Sequence, residues 1–278
     1  MSYADKVFKD TCKEILENGV SSENENVRAK WEDGTPAHTI KKFGVVNRYD
    51  LRKEFPIMTL RKTNFKNCID EILWIYQKKS NQIKELNSHI WDHWAKDGSI
   101  GKAYGYQLGI KHHYPEGDFD QVDKVLYDLK NNPFSRRIMT NMYNHHDLSE
   151  MNLYPCAYSL TFNVTRENGR LVLNAILNQR SQDMLTANGW NVTQYAILLY
   201  MFALSTGMIA GELVHVIADA HIYTKHIDFI KEMMERPEIK APKLFVNPTK
   251  KDFYDFTVDD FILVNYQYHD NFKFPVAI

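Results

Sequence analysis

The chain has 278 residues, 44% of them hydrophobic and 25% charged, with a formal net charge of −1. That balance is ordinary for a soluble globular protein and excludes the strongly basic face expected of a nucleic-acid binder. No stretch is apolar for the ~18 residues of a membrane span, and MSYADKVFKD lacks the apolar centre of a signal peptide, so a cytoplasmic protein with no membrane or specific nucleic-acid partner is expected.

From the N-terminus, Ala4, Val7, Phe8, Cys12, Ile15 and Leu16 follow helical spacing, and Asn18-Gly19 closes that helix. The polar stretch from Ser21 to Thr39 holds Asp33-Gly34-Thr35-Pro36, a loop signature. Phe43–Tyr49 and Ile57–Leu60 read as short strands, and Phe65, Ile69, Ile72, Leu73 and Tyr76 mark a second helix. A loop then carries Ile90-Trp-Asp-His-Trp94 and Tyr104-Gly-Tyr-Gln107, and an amphipathic helix over 118–131 follows. Tyr158, Leu160, Phe162 and Val164 alternate as in a half-buried strand. Asn168-Gly169 supplies a tight turn, and Leu171, Leu173, Ala175 and Leu177 alternate again, which predicts a hairpin.

A helix from about Asn191 to Thr206 is apolar at Val192, Tyr195, Ala196, Leu199, Phe202 and Ala203, so it reads as central. Leu213–Ile217 is a strand running into Asp219-Ala-His-Ile-Tyr223, and a helix continues to about Arg236. No repeat or long linker interrupts the chain. The pattern predicts one α+β domain, residues 1–278, built around an extended sheet.

The chemistry concentrates in Leu153-Tyr-Pro-Cys156 and Asn178-Gln-Arg-Ser-Gln-Asp183. Folding the hairpin about residues 166–170 brings Cys156 back towards Arg180 and Ser181. Beside guanidinium groups a thiol can sit well below its free pKa of about 8.5 and act as a nucleophile. Arginine and serine also suit a phosphate, which points to covalent chemistry on a phosphorylated small molecule. The plain alternative is a buried, inert thiol. Cys12, Cys68 and Cys156 are far apart and odd in number, which fits neither a disulfide framework nor a zinc pattern and suits a reducing compartment.

In order and spacing, several segments together resemble the folate-dependent thymidylate synthases. They are Val27-Arg28 with Asp33-Gly34-Thr35, Glu71-Ile-Leu-Trp74, Ile90 to Trp94, Tyr104 to Gln107 and Asn132-Pro-Phe-Ser-Arg-Arg137. Leu153 to Cys156, Gln179 to Asp183, Asn191 to Tyr195, Asp219 to Tyr223 and Pro275-Val-Ala-Ile278 complete the set. The resemblance spans the chain. It implies a single large domain whose mixed, mostly extended sheet is packed by helices and forms a homodimer interface.

It also implies reductive methylation of dUMP to dTMP with 5,10-methylenetetrahydrofolate as cosubstrate, releasing dihydrofolate, with no metal, flavin or nicotinamide. In that reading Cys156 adds to uracil C6 and makes C5 enolate-like. Glu71, matched to a glutamate opening a helix, shuttles protons near the ring. Arg180, Asn191 and Asp219 complete the catalytic set. The phosphate falls to Arg28, Arg180 and Ser181, with Arg136 and Arg137 donated across subunits. Gln179, Gln182, Asp183 and Ile222 join the nucleotide side. His221 and Tyr223 resemble the pair that binds the deoxyribose hydroxyl. An amide at Asn191 suits uracil, donating to O4 and accepting from N3–H. On the folate side stand Asn64, Ile90, Trp91, Trp94, Leu153, Asp183, Ala187 and Trp190, with Ala277 and Ile278 in a tail that closes over the ligand.

Plainer readings compete for three of these. Glu71 is a dipole partner if it opens a helix, Asn191 a helix N-cap, and Arg136-Arg137 a solvated pair. The chain also departs from the family at Leu185-Thr-Ala-Asn-Gly-Trp-Asn191, where Ala187 takes a glycine position and Gly189 a proline position. Ala218 replaces a glycine, Arg61 a lysine, and Asn64 stands where a histidine can occur, which marks a divergent subgroup and bears on the folate side. Two rival activities are a dUMP hydroxymethyltransferase and a catalytically silent nucleotide- or RNA-binding homologue. Trp91 and the intact Pro275–Ile278 terminus speak against the first, and Cys156, Glu71 and Arg180 together against the second.

Overall fold

A computed structural model describes residues 2–277. Helix α1 (Tyr3–Asn18) packs beside the long strand β2 (Thr39–Asp50), which is preceded by the short β1 (Val20–Ser21). Helix α2 (Phe65–Tyr76) and the short α3 (Gly105–Gly109) lead to a small hairpin, β3 (His112–Tyr114) and β4 (Gly117–Phe119). After α4 (Gln121–Asn131) come β5 (Met139–Asn141), β6 (Ala157–Glu167), β7 (Arg170–Gln179) and β8 (Gln182–Asp183). Helix α5 (Asn188–Ser205), β9 (Ile209–Tyr223), α6 (Ile227–Glu235), β10 (Lys243–Val246) and β11 (Phe261–Val264) complete the chain.

The main sheet runs β1-β2-β9-β7-β6-β5, with β8 also on β9. It is mixed: β7 and β8 lie parallel to β9, and the other pairs are antiparallel. The β6–β7 hairpin turns where expected, with Asn168 and Gly169 both at positive φ, the backbone a two-residue hairpin turn requires. Gly44, at φ 74, interrupts the β2–β9 register between Phe43 and Val45. One face of the sheet is covered by α5, whose residues are buried on nearly all sides, as expected of a central helix. The opposite face leaves Val46, Ile176 and Met139 exposed, and nearby Phe43 is 86% exposed.

Several boundaries move, each for a local reason. Ile57–Leu60 is buried but is not a strand. Its backbone is instead taken by side chains and the C-terminal segment. Asp5 Oδ1 accepts from Thr59 N at 2.8 Å, Tyr266 Oη donates to Met58 O at 2.8 Å and Arg236 Nη1 to Leu60 O at 2.6 Å. The helix expected from 118 begins at Gln121, because Asp120 caps it by accepting from Val122 N and Asp123 N. The helix expected from Asn191 begins at Asn188. Asp219–Tyr223 is strand, since β2 offers β9 a partner from Asp50↔Glu212 to Thr39↔Tyr223. Among the described residues no helix is long and apolar enough to cross a membrane.

Asp5 is fully buried and takes both the amide and the hydroxyl of Thr59. Asp5→Ala is expected to lower the unfolding free energy by about 2 kcal/mol, the cost of leaving buried donors unpaired. A fall in the urea midpoint checks this, and an unchanged midpoint would show that water or backbone movement replaces the carboxylate.

Candidate active site

The hairpin, with a one-residue register shift between Ala157 and Ser159, carries Cys156 to Arg180. Arg180 N donates to Cys156 O at 2.9 Å, and Arg180 Nη2 lies 3.6 Å from Cys156 Sγ. The same guanidinium is fixed by two carbonyls, donating from Nε to Pro155 O at 3.0 Å and from Nη2 to Tyr154 O at 2.7 Å. The half-buried thiol is nevertheless pushed up from its ordinary value. Burial raises it, and the Arg180 and Arg28 charges and Tyr104 offset this only in part. The depression that guanidinium neighbours suggest is therefore absent, because desolvation of the thiol outweighs their charges.

Tyr104 closes this side of the site. Its hydroxyl accepts from Cys156 N at 3.0 Å, and its ring lies 5.1 Å from that of Trp91. It holds a positive φ of 47°, an uncommon conformation for a residue with a side chain. The neighbouring Gly105 lies close against the Ser80 backbone, where a Cβ would meet Ser80 O at 2.4 Å. Tyr104 senses the charges of Cys156, Glu71 and Arg180 together.

Glu71 sits in the middle of α2 and is buried, so the dipole reading, which needs a residue at the helix start, does not hold. Its Oε1 accepts from Trp91 Nε1 at 2.8 Å. Its Oε2 accepts from Trp190 Nε1 at 2.5 Å and from Gln194 Nε2 at 2.8 Å. Burial raises the carboxyl and these donors restrain it, leaving it at about 7. The two tryptophans expected to offer flat surface thus also hold a carboxylate. Trp94 packs edge-on to Trp91 at 5.9 Å.

Asn191 lies inside the first turn of α5, whose N-cap is Ala187, so it is not a cap. Its Oδ1 accepts from Gln179 Nε2 at 3.2 Å and its Nδ2 donates to Gln194 Oε1 at 3.2 Å. Gln179 Oε1 in turn meets Nε2 of the fully buried His215 at 2.8 Å. Desolvation holds His215 neutral, with its pKa at about 3. Neither Gln194 nor His215 emerges from the sequence reading. A signal is present: His215 is a lone polar residue in the apolar run Leu213–Ile217 of β9, and Gln194 stands at the start of the long apolar run of α5.

On the far side, His221 Nδ1 lies 2.8 Å from Asp219 Oδ1, so Asp219 meets His221 rather than the thiol. The Tyr223 ring stands 5.1 Å from His221 and feels the charges of Arg28 and Cys156. Arg28 is exposed and Ser181 half-buried. Two residues expected on the nucleotide side point elsewhere. Ile222 is fully buried in an apolar cluster with Ile217, Ala220 and Met184, which leaves only its backbone for a ligand. Gln182 is also fully buried, and its Nε2 donates to Asp183 O. Asp183 is occupied as well, accepting from Leu185 N, Thr186 N and Thr186 Oγ1. Burial works to raise this carboxyl, but His226, His221 and Thr186 prevail and hold it below the usual range.

Arg61 Nη2 donates to Leu185 O and Thr186 O and lies over the Phe274 ring, tying the divergent turn to the C-terminal segment. His226 Nε2 donates to Pro275 O at 2.7 Å, which fixes the segment leading to the half-buried Ala277. Ile278 lies outside the described residues. Asn64 caps α2 from an exposed position, Ile90 is 36% exposed, and Leu153 packs at the edge of the main core. The single chain does not bring Arg136 or Arg137 to the thiol. Both are exposed, and Arg137 lines an open cleft of about 1010 Å³ with Gln107, Lys124 and Asn141.

Comparison with known proteins gives one consistent result. The family model described as Thymidylate synthase matches residues 6–278. A thymidylate synthase of Bacillus mojavensis is 48% identical over 284 aligned residues, and thymidylate synthase 1 of Bacillus subtilis (strain 168) is 46% identical, each alignment covering 100% of both chains. The solved thermostable thymidylate synthase A from Bacillus subtilis is similar in structure, with a TM-score of 0.92, 45% identity and 99% of each chain covered. The rival activities draw no support from these relatives.

Burial of Glu71 has a measurable cost. A carboxyl raised from 4.5 to about 7 stabilises the fold fully only below its unfolded value, and that contribution is lost as pH rises to 7. Unfolding free energy should therefore fall over this window by on the order of 3 kcal/mol relative to Glu71→Gln. Parallel pH–stability curves for the two proteins would show instead that Glu71 titrates normally.

Proposed function

The chain belongs to the thymidylate synthase family, and from that premise we propose that it converts dUMP to dTMP with 5,10-methylenetetrahydrofolate, the reaction passing through Cys156. The observation that carries this reading is a thiol 3.6 Å from a guanidinium nitrogen, in a site shared with a buried carboxyl whose pKa is about 7.

Uracil C5 is too weak a nucleophile to attack the folate's methylene group. Bond formation between Cys156 Sγ and C6 moves electron density onto C5 and O4, and elimination of the thiol later restores the ring. Arg180 has two tasks in this scheme, drawing the thiol towards its anionic form and binding the dUMP phosphate with Arg28 and Ser181. Glu71, held near neutrality, can both give and take a proton at the ring. Asn191 reads the base edge, while His221 and Tyr223 receive the deoxyribose, with Asp219 holding the His221 ring. Trp91, Trp94 and Trp190 with Ile90, Leu153, Asn64 and Ala187 form the folate side, and the tail from Pro275 closes over it to exclude water.

The site is completed by a second copy of the chain. The uncovered sheet face supports this, because the register sets Val214, Ile176, Thr161 and Met139 in one row across β9, β7, β6 and β5. Packing two such faces buries Val46, Ile176 and Met139. The exposed Arg136 and Arg137 then reach the partner's phosphate.

Two measurements test the proposal. Incubation with dUMP and methylenetetrahydrofolate should yield a pyrimidine with the mass of dTMP, and a product heavier by one oxygen would replace the reading with hydroxymethyl transfer. Cys156→Ser should reduce turnover roughly 10³-fold or more while dUMP still binds. Loss of binding together with turnover would count against a purely nucleophilic thiol.

A further inference from the structure

Asn191 can read uracil only if its amide faces one way, and the two ends of a terminal amide are nearly equal in shape. The orientation must therefore be imposed from outside the residue. The polar atoms around it do so. On one side Gln194 is buried, and its Nε2 faces Glu71 Oε2 at 2.8 Å, an oxygen that also accepts from Trp190 Nε1, and at 3.5 Å the Cys68 carbonyl, which can only accept. Its Oε1 is thereby turned to Asn191 and requires a donor there. On the other side Gln179, also buried, donates from Nε2 to the Ser181 carbonyl at 3.0 Å. Its Oε1 then takes the Nε2 proton of neutral His215, and its Nε2 also presents a donor to Asn191. Both neighbours are oriented by backbone carbonyls, which cannot reverse their role.

We propose that Gln194 and Gln179 form a clamp that fixes the Asn191 amide and so determines the choice of uracil over cytosine, with Gln194 the specificity-determining positioning residue. The inference rests on the proposed reading of Asn191 as the residue that meets the base. With the clamp in place, Nδ2 has one proton left for uracil O4 and Oδ1 one lone pair for N3–H. Reversal would present a donor to N3–H and an acceptor to O4, the pattern that suits cytosine. It would also oppose amino group to amino group at Gln179 and oxygen to oxygen at Gln194. Gln194 further ties the base reader to the proton-transferring carboxyl, since one amide bridges Asn191 Nδ2 and Glu71 Oε2.

The test compares Kd values for dUMP and dCMP in the full-length protein. Gln194→Met keeps the length of the side chain and removes both polar contacts. The dCMP/dUMP Kd ratio should fall about tenfold or more, the scale of one mispaired base-edge contact. Gln194→Glu still accepts from Asn191 Nδ2 but replaces the amide donor with a second carboxyl that must share a proton with Glu71. It should keep the ratio within about threefold of the parent while kcat drops. A residue that merely supports the helix would weaken both nucleotides equally in both variants, and that result would overturn the clamp. Should Gln194→Met not accumulate as folded protein, Gln179→Met removes the opposite jaw and the same fall is expected, an unchanged ratio again overturning the clamp. Asn191→Asp separates the two levels. If it alters the ratio and neither methionine variant does, the clamp is wrong and the base reader stands. If it leaves the ratio unchanged, both fail.

Discussion

The buried Glu71 carboxylate is the point on which the site is assembled. Its two oxygens accept three N–H donors, from Trp91 in the loop after α2 and from Trp190 and Gln194 on α5. A carboxylate removed from water without such partners would be strongly disfavoured. The donors come from three separate positions in the chain, so satisfying this one group fixes the approach of α2 to α5 and the path of the tryptophan loop. It also leaves the carboxyl poised near neutrality, because desolvation and the three donors act in opposite senses.

The sheet supplies the second element of the arrangement. An antiparallel hairpin with a two-residue turn has a register fixed by the turn, and here a one-residue shift in that register between Ala157 and Ser159 places Arg180, not Ser181, against Cys156. The parallel pairing of β7 with β9 then sets Gln179 beside His215 on the face under α5. Cys156, Arg180 and the Asn191 amide thus depend on one sheet and the helix that covers it. The divergent turn at 185–190 is held by Arg61 and Asp183, and Arg61 ties it to the C-terminal segment through Phe274.

Much of this is legible in the chain. The alternation around Asn168-Gly169 carries the hairpin, and the hairpin carries the meeting of Cys156 with Arg180. The apolar run of α5 marks it as central. Ile57–Leu60 misleads because apolar content reports burial but not hydrogen-bond partners, and here those partners are Asp5, Tyr266 and Arg236 from distant segments. For Ile222 the motif does not say which way the side chain faces, and the fold buries it in an apolar cluster.

The sequence by itself determined the reactive residue types, the family and the order of the elements, since these depend on local periodicity, turn chemistry and short motifs. Only the tertiary structure decided what each titratable group feels. The thiol is raised where guanidinium neighbours suggested depression, because desolvation depends on everything packed around a group and not on its neighbours in the chain. The same holds for the amide clamp on Asn191, whose parts lie on β7, α2, α5 and β9 and meet only when the helices close over the sheet.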